Sequence, residues 1–240
     1  MPLANPDAPN GKTRFLFEQG ARRAALVYSA PAISEAVAQR PALEAAGIEV
    51  VLDLAMPITT FSYDSAARAV ANSGADYMLF VHEQGASASM ARALADANYE
   101  VRFPEYIVAY GSQFPELAGE AAEGATSWLY SLPVEDAGTN AELDAFLEYM
   151  ALAAPGANLD TFATVAWAAA KAFVETLEAV PGPISREALL AQAAATPTYD
   201  ADGMVGRVQF SAKVSDGCLI GVVYRGGAWQ RLAPASGFLC

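Results

Sequence analysis

The chain has 240 residues, of which 54% are hydrophobic and 17% are charged, and its 14 Lys and Arg against 27 Asp and Glu give a net charge of −13. This composition is typical of a globular protein and excludes an intrinsically disordered chain. Because basic residues are few and scattered, we expect no binding to nucleic acid or to an anionic membrane surface.

No stretch of the sequence predicts a membrane span. The longest charge-free stretches, such as 124–134 and 188–199, have about 12 residues or fewer, whereas a spanning helix needs roughly 18. Residues 1–10 lack the basic start and apolar run of a signal peptide, so we expect any export signal to lie outside this chain.

The first half of the chain alternates short apolar runs with helical segments. Strands are predicted at 24–29, 49–54, 77–81 and 106–109. Helices are predicted at 12–19, 34–46, 63–72 and 87–97. The strand starts are 25 to 29 residues apart, which is the length of a strand plus a crossover helix. We therefore predict an α/β fold, in which residues 10–131 form a doubly wound lobe with a parallel sheet covered on both faces.

The pattern changes after residue 131. A linker rich in Pro, Gly and acidic residues is followed by predicted helices at 141–151, 160–180 and 185–194, with no strand between them. The second of these helices is apolar almost all round in its first half, as is typical of a helix buried against a large surface.

The chain ends with a short predicted strand at 205–210 and a hairpin formed by 219–224 and 229–232. We divide the chain into the lobe 10–131, a helical segment 132–211 and a C-terminal hairpin 212–240.

Several short motifs resemble catalytic or metal sites but are incomplete. The sequence Gly11-Lys12-Thr13 lacks the first glycine and the preceding strand of a phosphate-binding loop. Residues 85–89 resemble a nucleophile elbow but end in serine, and His82-Glu83 lacks the second histidine of a zinc motif. We therefore expect no cofactor, no metal and no enzymatic activity. The distant alternative is an esterase-like site that would use His82.

Polar side chains follow the predicted strands at the edge where open α/β sheets bind ligands. Those predicted to bind a ligand are Ser29 and Ala30 after the first strand, His82, Glu83 and Gln84 after the third, and Tyr110 after the fourth. The alternative is that they are ordinary turn residues. The tryptophans, Trp128, Trp167 and Trp229, are expected in the core or at a hinge rather than on a ligand.

Five segments in a fixed order carry a family resemblance. They are 21–51, 61–81, 115–128 with LAGEAAEG at 117–124, 160–179, and 198–240. In this order the chain resembles the type I periplasmic binding proteins, in particular the receptors for leucine, isoleucine and valine that serve ABC transporters. The likeness runs from about residue 11 to residue 240.

The resemblance implies a non-enzymatic solute-binding protein that works outside the cytoplasm with an ABC transporter permease and closes two lobes on a small polar ligand. It also implies that the first half of lobe 1 has no counterpart here. Residues 10–131 and the returning hairpin 212–240 then correspond to lobe 2, and residues 132–211 are the mainly helical remainder of the incomplete lobe 1. The alternative is a ligand-sensing regulatory domain of the same fold.

In the family, a tyrosine after the first strand, aromatic residues after the third and an acidic residue after the fourth hold the amino acid. The corresponding positions here are Ile33, Glu83 or Gln84, and Ala109 or Tyr110, and none of them has the expected type. An amino-acid ligand would need a different contact, such as the carboxylate of Glu83 with an ammonium group.

Two expectations concern the later part of the chain. Taken alone, Cys218 and Cys240 are either free thiols or a disulfide, and the export that the resemblance implies favours the disulfide. We also expect the second helix of the helical segment to expose an apolar stripe, because the surface that would cover it is absent. The stripe residues are Phe162, Val165, Ala166, Ala169 and Phe173.

Overall fold

The computed structural model describes residues 10–240, and strands alternate with helices in its first half. The strands are β1 (Arg23–Ser29), β2 (Glu49–Met56), β3 (Tyr77–Val81), β4 (Phe103–Tyr106), β5 (Thr126–Leu129), β6 (Val208–Gln209), β7 (Val214–Ser215), β8 (Ile220–Arg225) and β9 (Ala228–Ala233). The α-helices are α1 (Gly11–Glu18), α2 (Ile33–Ala45), α3 (Asp64–Ser73), α4 (Gln84–Asp96), α5 (Gln113–Ala118), α6 (Ala141–Ala153), α7 (Thr161–Glu178) and α8 (Arg186–Ala195).

A seven-stranded sheet in the order β2-β1-β3-β4-β5-β8-β9 forms the centre of the fold. Strands β1 to β5 pair in parallel, and β8 and β9 add an antiparallel hairpin at the β5 side. The chain runs from β1 outward to β2 and then back past β1 to β3. This reversal is a topological switch point, and a crevice opens there at the carboxyl ends of β1 and β3.

Helices cover both faces of the parallel strands, as predicted. Val27 and Phe80 lie in one core with residues of α3 and α4, whereas Leu26 and Leu79 lie in the other with residues of α1 and α2. Successive side chains of a strand enter opposite faces, so all five residues of β3 are buried. The doubly wound parallel sheet expected from the strand spacing is therefore confirmed.

The fourth strand was wrongly bounded from the sequence, and a fifth was missed. Strand β4 ends at Tyr106 instead of starting there, because Pro104 and Glu105 interrupt the apolar pattern while still lying in the sheet. Glu105 is buried there because Lys12 and Tyr77 bind its carboxylate. Strand β5 has only four residues and follows a 3-10 turn, so no periodicity marked it.

The second half contains α6, α7 and α8 without a strand between them, as predicted. The strand expected at 205–210 shrinks to β6, which pairs with β7 and forms one bridge, between Val208 and Tyr199. On α7 the expected apolar stripe is exposed: Phe162 keeps 65% and Phe173 55% of its surface accessible. In residues 10–240 no helix is both long and apolar enough to cross a membrane.

A disulfide between Cys218 and Cys240 closes the end of the chain, with an S–S distance of 2.04 Å. Next to it, Leu219 and Leu239 exchange backbone hydrogen bonds. The backbone of Cys240 also lies against Gly11, where an added Cβ would come within 2.8 Å of it. The disulfide favoured by the family resemblance is present, and it fixes the last residues beside the start of α1.

Candidate functional site

The candidate site lies at the switch point between β1 and β3. Tyr28 on β1 pairs with Val81 on β3, so the next residues along the chain, Ser29 and His82, lie side by side. Ser29 is buried, and the exposed Ala30 begins a 3-10 turn. The structure therefore brings Ser29, Ala30 and His82 to one edge, as the sequence predicted.

His82 is held between aromatic rings. Its side chain is only 6% exposed, its ring stacks on Phe80 at 5.9 Å, and Tyr63 meets it edge-on at 6.2 Å. Burial lowers the pKa of this imidazole, and the nearby carboxylate of Glu83 opposes the shift only in part. The ring is therefore held in its neutral form at neutral pH.

The two nitrogens of His82 differ in their partners. Nδ1 accepts a hydrogen bond from the backbone N–H of Glu83 at 2.9 Å, so the proton of the neutral ring resides on Nε2. Nε2 is buried and finds no hydrogen-bond partner among the described residues. A buried donor without a partner costs about 1 to 3 kcal/mol and often marks a functional group.

Glu83 and Gln84 organise the start of α4. The Glu83 carboxylate accepts hydrogen bonds from the backbone N–H groups of Gly85 at 2.7 Å and Ala86 at 2.5 Å, so it caps the helix. Gln84 is buried, and its amide approaches the carbonyl oxygen of Tyr110 at 3.5 Å. This cap makes α4 begin at Gln84, three residues before the predicted start.

Two further features surround this edge. A cavity of about 240 Å³ at the end of β2 is lined by residues such as Met56, Thr60 and Ala66. The loop between β2 and α3 also presents Phe61, which is 97% exposed. The edge segments 29–35, 56–64 and 82–86 contain no Lys or Arg, so their side chains offer no cation to a carboxylate.

Tyr110 contacts this edge through its backbone carbonyl, whereas its side chain binds the linker after β5. Its hydroxyl donates to the Glu135 carboxylate at 2.7 Å and accepts from the backbone N–H of Val134 at 2.7 Å, and the residue is buried. Burial and the neighbouring Glu135 raise the pKa of this hydroxyl well above its usual value. Tyr110 thus ties the end of β4 to the linker after β5.

A larger cleft of about 610 Å³ lies beside Tyr110. It is bordered by the start of α5, the linker at Val134, the loop before α7 and the β8–β9 turn near Trp229. Sequence reasoning missed it because four distant segments form it. Of the tryptophans expected in the core or at a hinge, Trp128 and Trp229 are buried, and the half-buried Trp167 donates to Glu142 at 2.7 Å; Trp229 also lines this cleft.

One acid and cysteine cluster in residues 10–240 has the spacing of a metal site. Asp216, Cys218 and Cys240 place their ligand atoms within 4.8 Å of one another. Both sulfurs are joined in the disulfide, and the Asp216 carboxylate accepts hydrogen bonds from the backbone N–H groups of Arg207 and Cys218. The cluster stabilises a turn and offers no thiolate to a metal.

Residues 6–224 of the sequence match the model of a protein family that is described as periplasmic binding protein. A search of curated proteins gives no match.

Solved structures of the same fold are similar over nearly the whole chain. One is a putative branched-chain amino acid ABC transporter protein from Rhodospirillum rubrum, with a TM-score of 0.74, 20% identity, and coverage of 96% of this chain and 66% of that chain. Another is a solute-binding protein from R. palustris in complex with benzoate, with a TM-score of 0.75, 20% identity, and coverage of 95% and 62%.

A third is a fatty acid ABC transporter substrate-binding protein from Thermomonospora curvata, with a TM-score of 0.78, 18% identity, and coverage of 97% and 63%. The present chain therefore spans slightly less than two thirds of the length of each of these proteins. At these identities the likeness concerns the fold.

Proposed function

The chain belongs to the periplasmic binding protein family, and on that premise we propose that it is the solute-binding part of an ABC importer. It binds a small molecule at the carboxyl edge of β1 and β3 and performs no chemistry on it. The observation that carries this proposal is the buried Nε2–H of His82 at the switch point of the sheet, which has no hydrogen-bond partner within residues 10–240.

The surroundings of His82 suggest how a ligand is held. A ligand atom that accepts the Nε2–H hydrogen bond would recover the free energy lost by leaving that donor unpaired. Phe80 and Tyr63 provide apolar contact around it, and Ser29 adds a hydroxyl on the neighbouring strand. Glu83 and Gln84 support this site by fixing the start of α4.

Ligand binding is coupled to closure of two lobes. A ligand that contacts both lobes stabilises the closed form relative to the open form, and a transporter permease can recognise the closed form. A position outside the cytoplasm agrees with the Cys218–Cys240 disulfide, since disulfides persist in oxidising compartments.

We further propose that residues 10–131 and 212–240 form one lobe and residues 132–211 contribute to the other. The apolar stripe of α7 is then the face that packs against further α/β structure of that second lobe. The solved structures support this reading, because about a third of their length has no counterpart in this chain.

The test begins with identification of the ligand. The protein is purified under native conditions and denatured, and the small molecules released are identified by mass spectrometry. The compound found is then titrated calorimetrically into wild-type protein and the His82→Phe variant, which keeps the aromatic contacts and removes the donor. We expect affinity to fall about 2- to 12-fold through loss of one hydrogen bond.

A matched control is Glu148→Gln, which changes an exposed residue of α6 and is expected to leave affinity unchanged. Binding that is unaffected by both His82→Phe and Ser29→Ala would contradict a site at this edge.

A further inference from the structure

The cleft of about 610 Å³ beside Trp229 is separate from the edge that carries His82. Strands β4 and β5 lie between β3 and the β8–β9 hairpin in the sheet order. The turn of that hairpin lies near the amino end of β5, because Thr126 pairs with Val223 in antiparallel register. The described residues that line the cleft include none of Ser29, His82, Glu83 and Gln84, so a molecule in it would not contact the switch point.

The floor of the cleft is aromatic. Trp229 meets the ring of Tyr224 at 5.4 Å and that of Tyr110 at 5.6 Å, and its indole N–H donates to the carbonyl oxygen of Gly111 at 2.9 Å. These contacts fix the indole in one position. Aromatic rings carry negative potential on their faces, so such a surface favours cations and apolar groups.

The charged groups that line the cleft are both acidic. Glu116 projects from α5 and Glu135 from the linker after β5, and no Lys, Arg or His is among the described residues that line it. Glu135 is an exposed residue, and partial burial of its carboxyl group raises the pKa of that group. A cation placed beside it would offset the free energy that burial costs the charged carboxylate.

The neighbouring guanidinium does not neutralise this acidic surface. Arg231 on β9 forms an ion pair with Asp136 and donates to the carbonyl oxygens of Pro234 and Gly237. It is therefore directed to a different acid and to the backbone of the tail. The Glu135 carboxylate accepts hydrogen bonds from the Tyr110 hydroxyl and from its own backbone N–H, and Arg231 forms its ion pair with Asp136 instead.

We propose that this cleft is a second ligand site and that it binds an organic ammonium ion with an apolar or aromatic body. The ammonium group lies beside Glu135 and Glu116, and the apolar body lies on Trp229 and Tyr224. The volume is sufficient for a small organic molecule, since ligand pockets are commonly about 300 to 1,000 Å³.

Such a ligand would join parts of the chain that are distant in sequence. The loop before α7 lines the cleft through Leu159. In the same loop, the Oδ1 atom of Asn158 accepts a hydrogen bond from the backbone N–H of Ser112 at 2.9 Å. Asn158 also donates to Asp160, which caps α7. A bound ammonium ion therefore stabilises the contact between the helical segment and the sheet.

The test uses the full chain labelled with ¹⁵N, with benzylamine as the charged probe and benzyl alcohol as its uncharged match. Binding is followed through the indole N–H resonance of Trp229. We expect benzylamine to shift this resonance in a saturable way and to bind more tightly than benzyl alcohol. Glu135→Gln, which retains an acceptor for Tyr110, is expected to weaken benzylamine about two- to fivefold and to leave benzyl alcohol unchanged.

Glu116→Gln is a second variant that does not disturb the contact with Tyr110, and Glu120→Gln changes an exposed acid outside the cleft as the control. Equal affinity for the two probes in wild-type protein would overturn the proposal. It would also be overturned if neither Glu135→Gln nor Glu116→Gln weakened benzylamine more than Glu120→Gln does.

Discussion

Lys12 in the first turn of α1 donates hydrogen bonds to both carboxylate oxygens of Glu105 on β4, at 3.1 and 3.2 Å. Both side chains are almost completely buried, and the Tyr77 hydroxyl donates to the same carboxylate at 2.6 Å. Burial and the neighbouring Glu105 carboxylate raise the pKa of the Tyr77 hydroxyl well above its usual value, so this hydroxyl stays protonated and donates to Glu105. The group fixes α1 to the sheet.

Removal of one partner from this buried pair is expected to be strongly destabilising. Lys12→Ala leaves the Glu105 carboxylate buried without its counter-ion, and we expect the free energy of unfolding to fall by about 3 to 5 kcal/mol. Urea denaturation followed by circular dichroism measures this change. The double variant Lys12→Met, Glu105→Gln is expected to recover much of the loss because it removes both charges.

Arg68→Ala is the control, since this basic residue is exposed on α3 and its loss is expected to change stability by less than about 0.5 kcal/mol. A loss for Lys12→Ala as small as that of the control would show that the pair contributes nothing.

The disulfide is expected to stabilise the C-terminal hairpin. Cys218 and Cys240 are 22 residues apart, and closure of a loop of this size contributes about 3 kcal/mol to the free energy of unfolding in the chain-entropy estimate. Cys240→Ser should lower stability by about this amount in urea denaturation. Wild-type protein isolated from an oxidising compartment should take up no alkylating reagent before reduction, and two alkylated thiols there would contradict the pairing.

The exposed stripe of α7 is expected to cause self-association or partner binding in this chain. Phe162 and Phe173 stand at its two ends, with Val165, Ala166 and Ala169 between them. An uncovered apolar face of this kind binds hydrophobic dyes and associates at higher concentration. Sedimentation velocity and dye fluorescence measure both effects, and the variant Phe162→Glu, Phe173→Glu should reduce them.

Thr176→Glu, which adds one charge elsewhere on the same helix, is the matched control for that variant. A wild-type monomer with no accessible apolar surface would contradict the idea that further structure covers α7.

The fold was predictable where short-range pattern decides it. Val27, Leu79 and their neighbours form continuous apolar runs, and the distance between the runs predicts crossover helices, so β1, β2 and β3 could be located and β4 was placed three residues too late. Strand β5 was missed because four residues after a 3-10 turn carry no period. Glu105 misled the placement of β4, since its burial depends on Lys12, which lies 93 residues away.

The candidate site also contains some residues that the local sequence pattern locates and others whose position depends on distant contacts. Ser29 is the last residue of β1 and His82 directly follows β3, so the edge they share follows from the sheet topology. Tyr110 is four residues beyond its strand, and its direction depends on Glu135 and Val134. The cleft near Trp229 depends on contacts between four segments, for which the sequence alone contains no local signal.

A pH dependence is expected from His82, the single histidine of the chain. Burial lowers its pKa in the folded state, so the unfolded chain binds a proton at higher pH than the folded chain does. Stability should therefore decrease as the pH falls from about 6.5, the pKa of an unperturbed histidine, toward the lower folded-state pKa. Thermal melts between pH 5 and 7 should show this slope, and His82→Phe should reduce it.

The imidazole titration can be followed directly by NMR, because one histidine gives one set of ring signals. A midpoint at or above 6.5 in the folded protein would contradict a neutral, desolvated ring. At 6.5 the slope in wild-type and His82→Phe protein would be the same, and above 6.5 the contribution of His82 to the slope would change sign.

The last prediction separates two roles of Glu83. Its carboxylate accepts hydrogen bonds from the backbone N–H groups of Gly85 and Ala86, so its main role is to stabilise the start of α4. We expect Glu83→Ala to lower the free energy of unfolding by about 1 kcal/mol through loss of the cap, as measured by urea denaturation. Glu83→Gln should change the affinity for the natural ligand less than about threefold in calorimetry. If Glu83→Gln instead reduced that affinity about 10- to 150-fold, the carboxylate would be shown to hold a charged group of the ligand, as an ammonium ion requires.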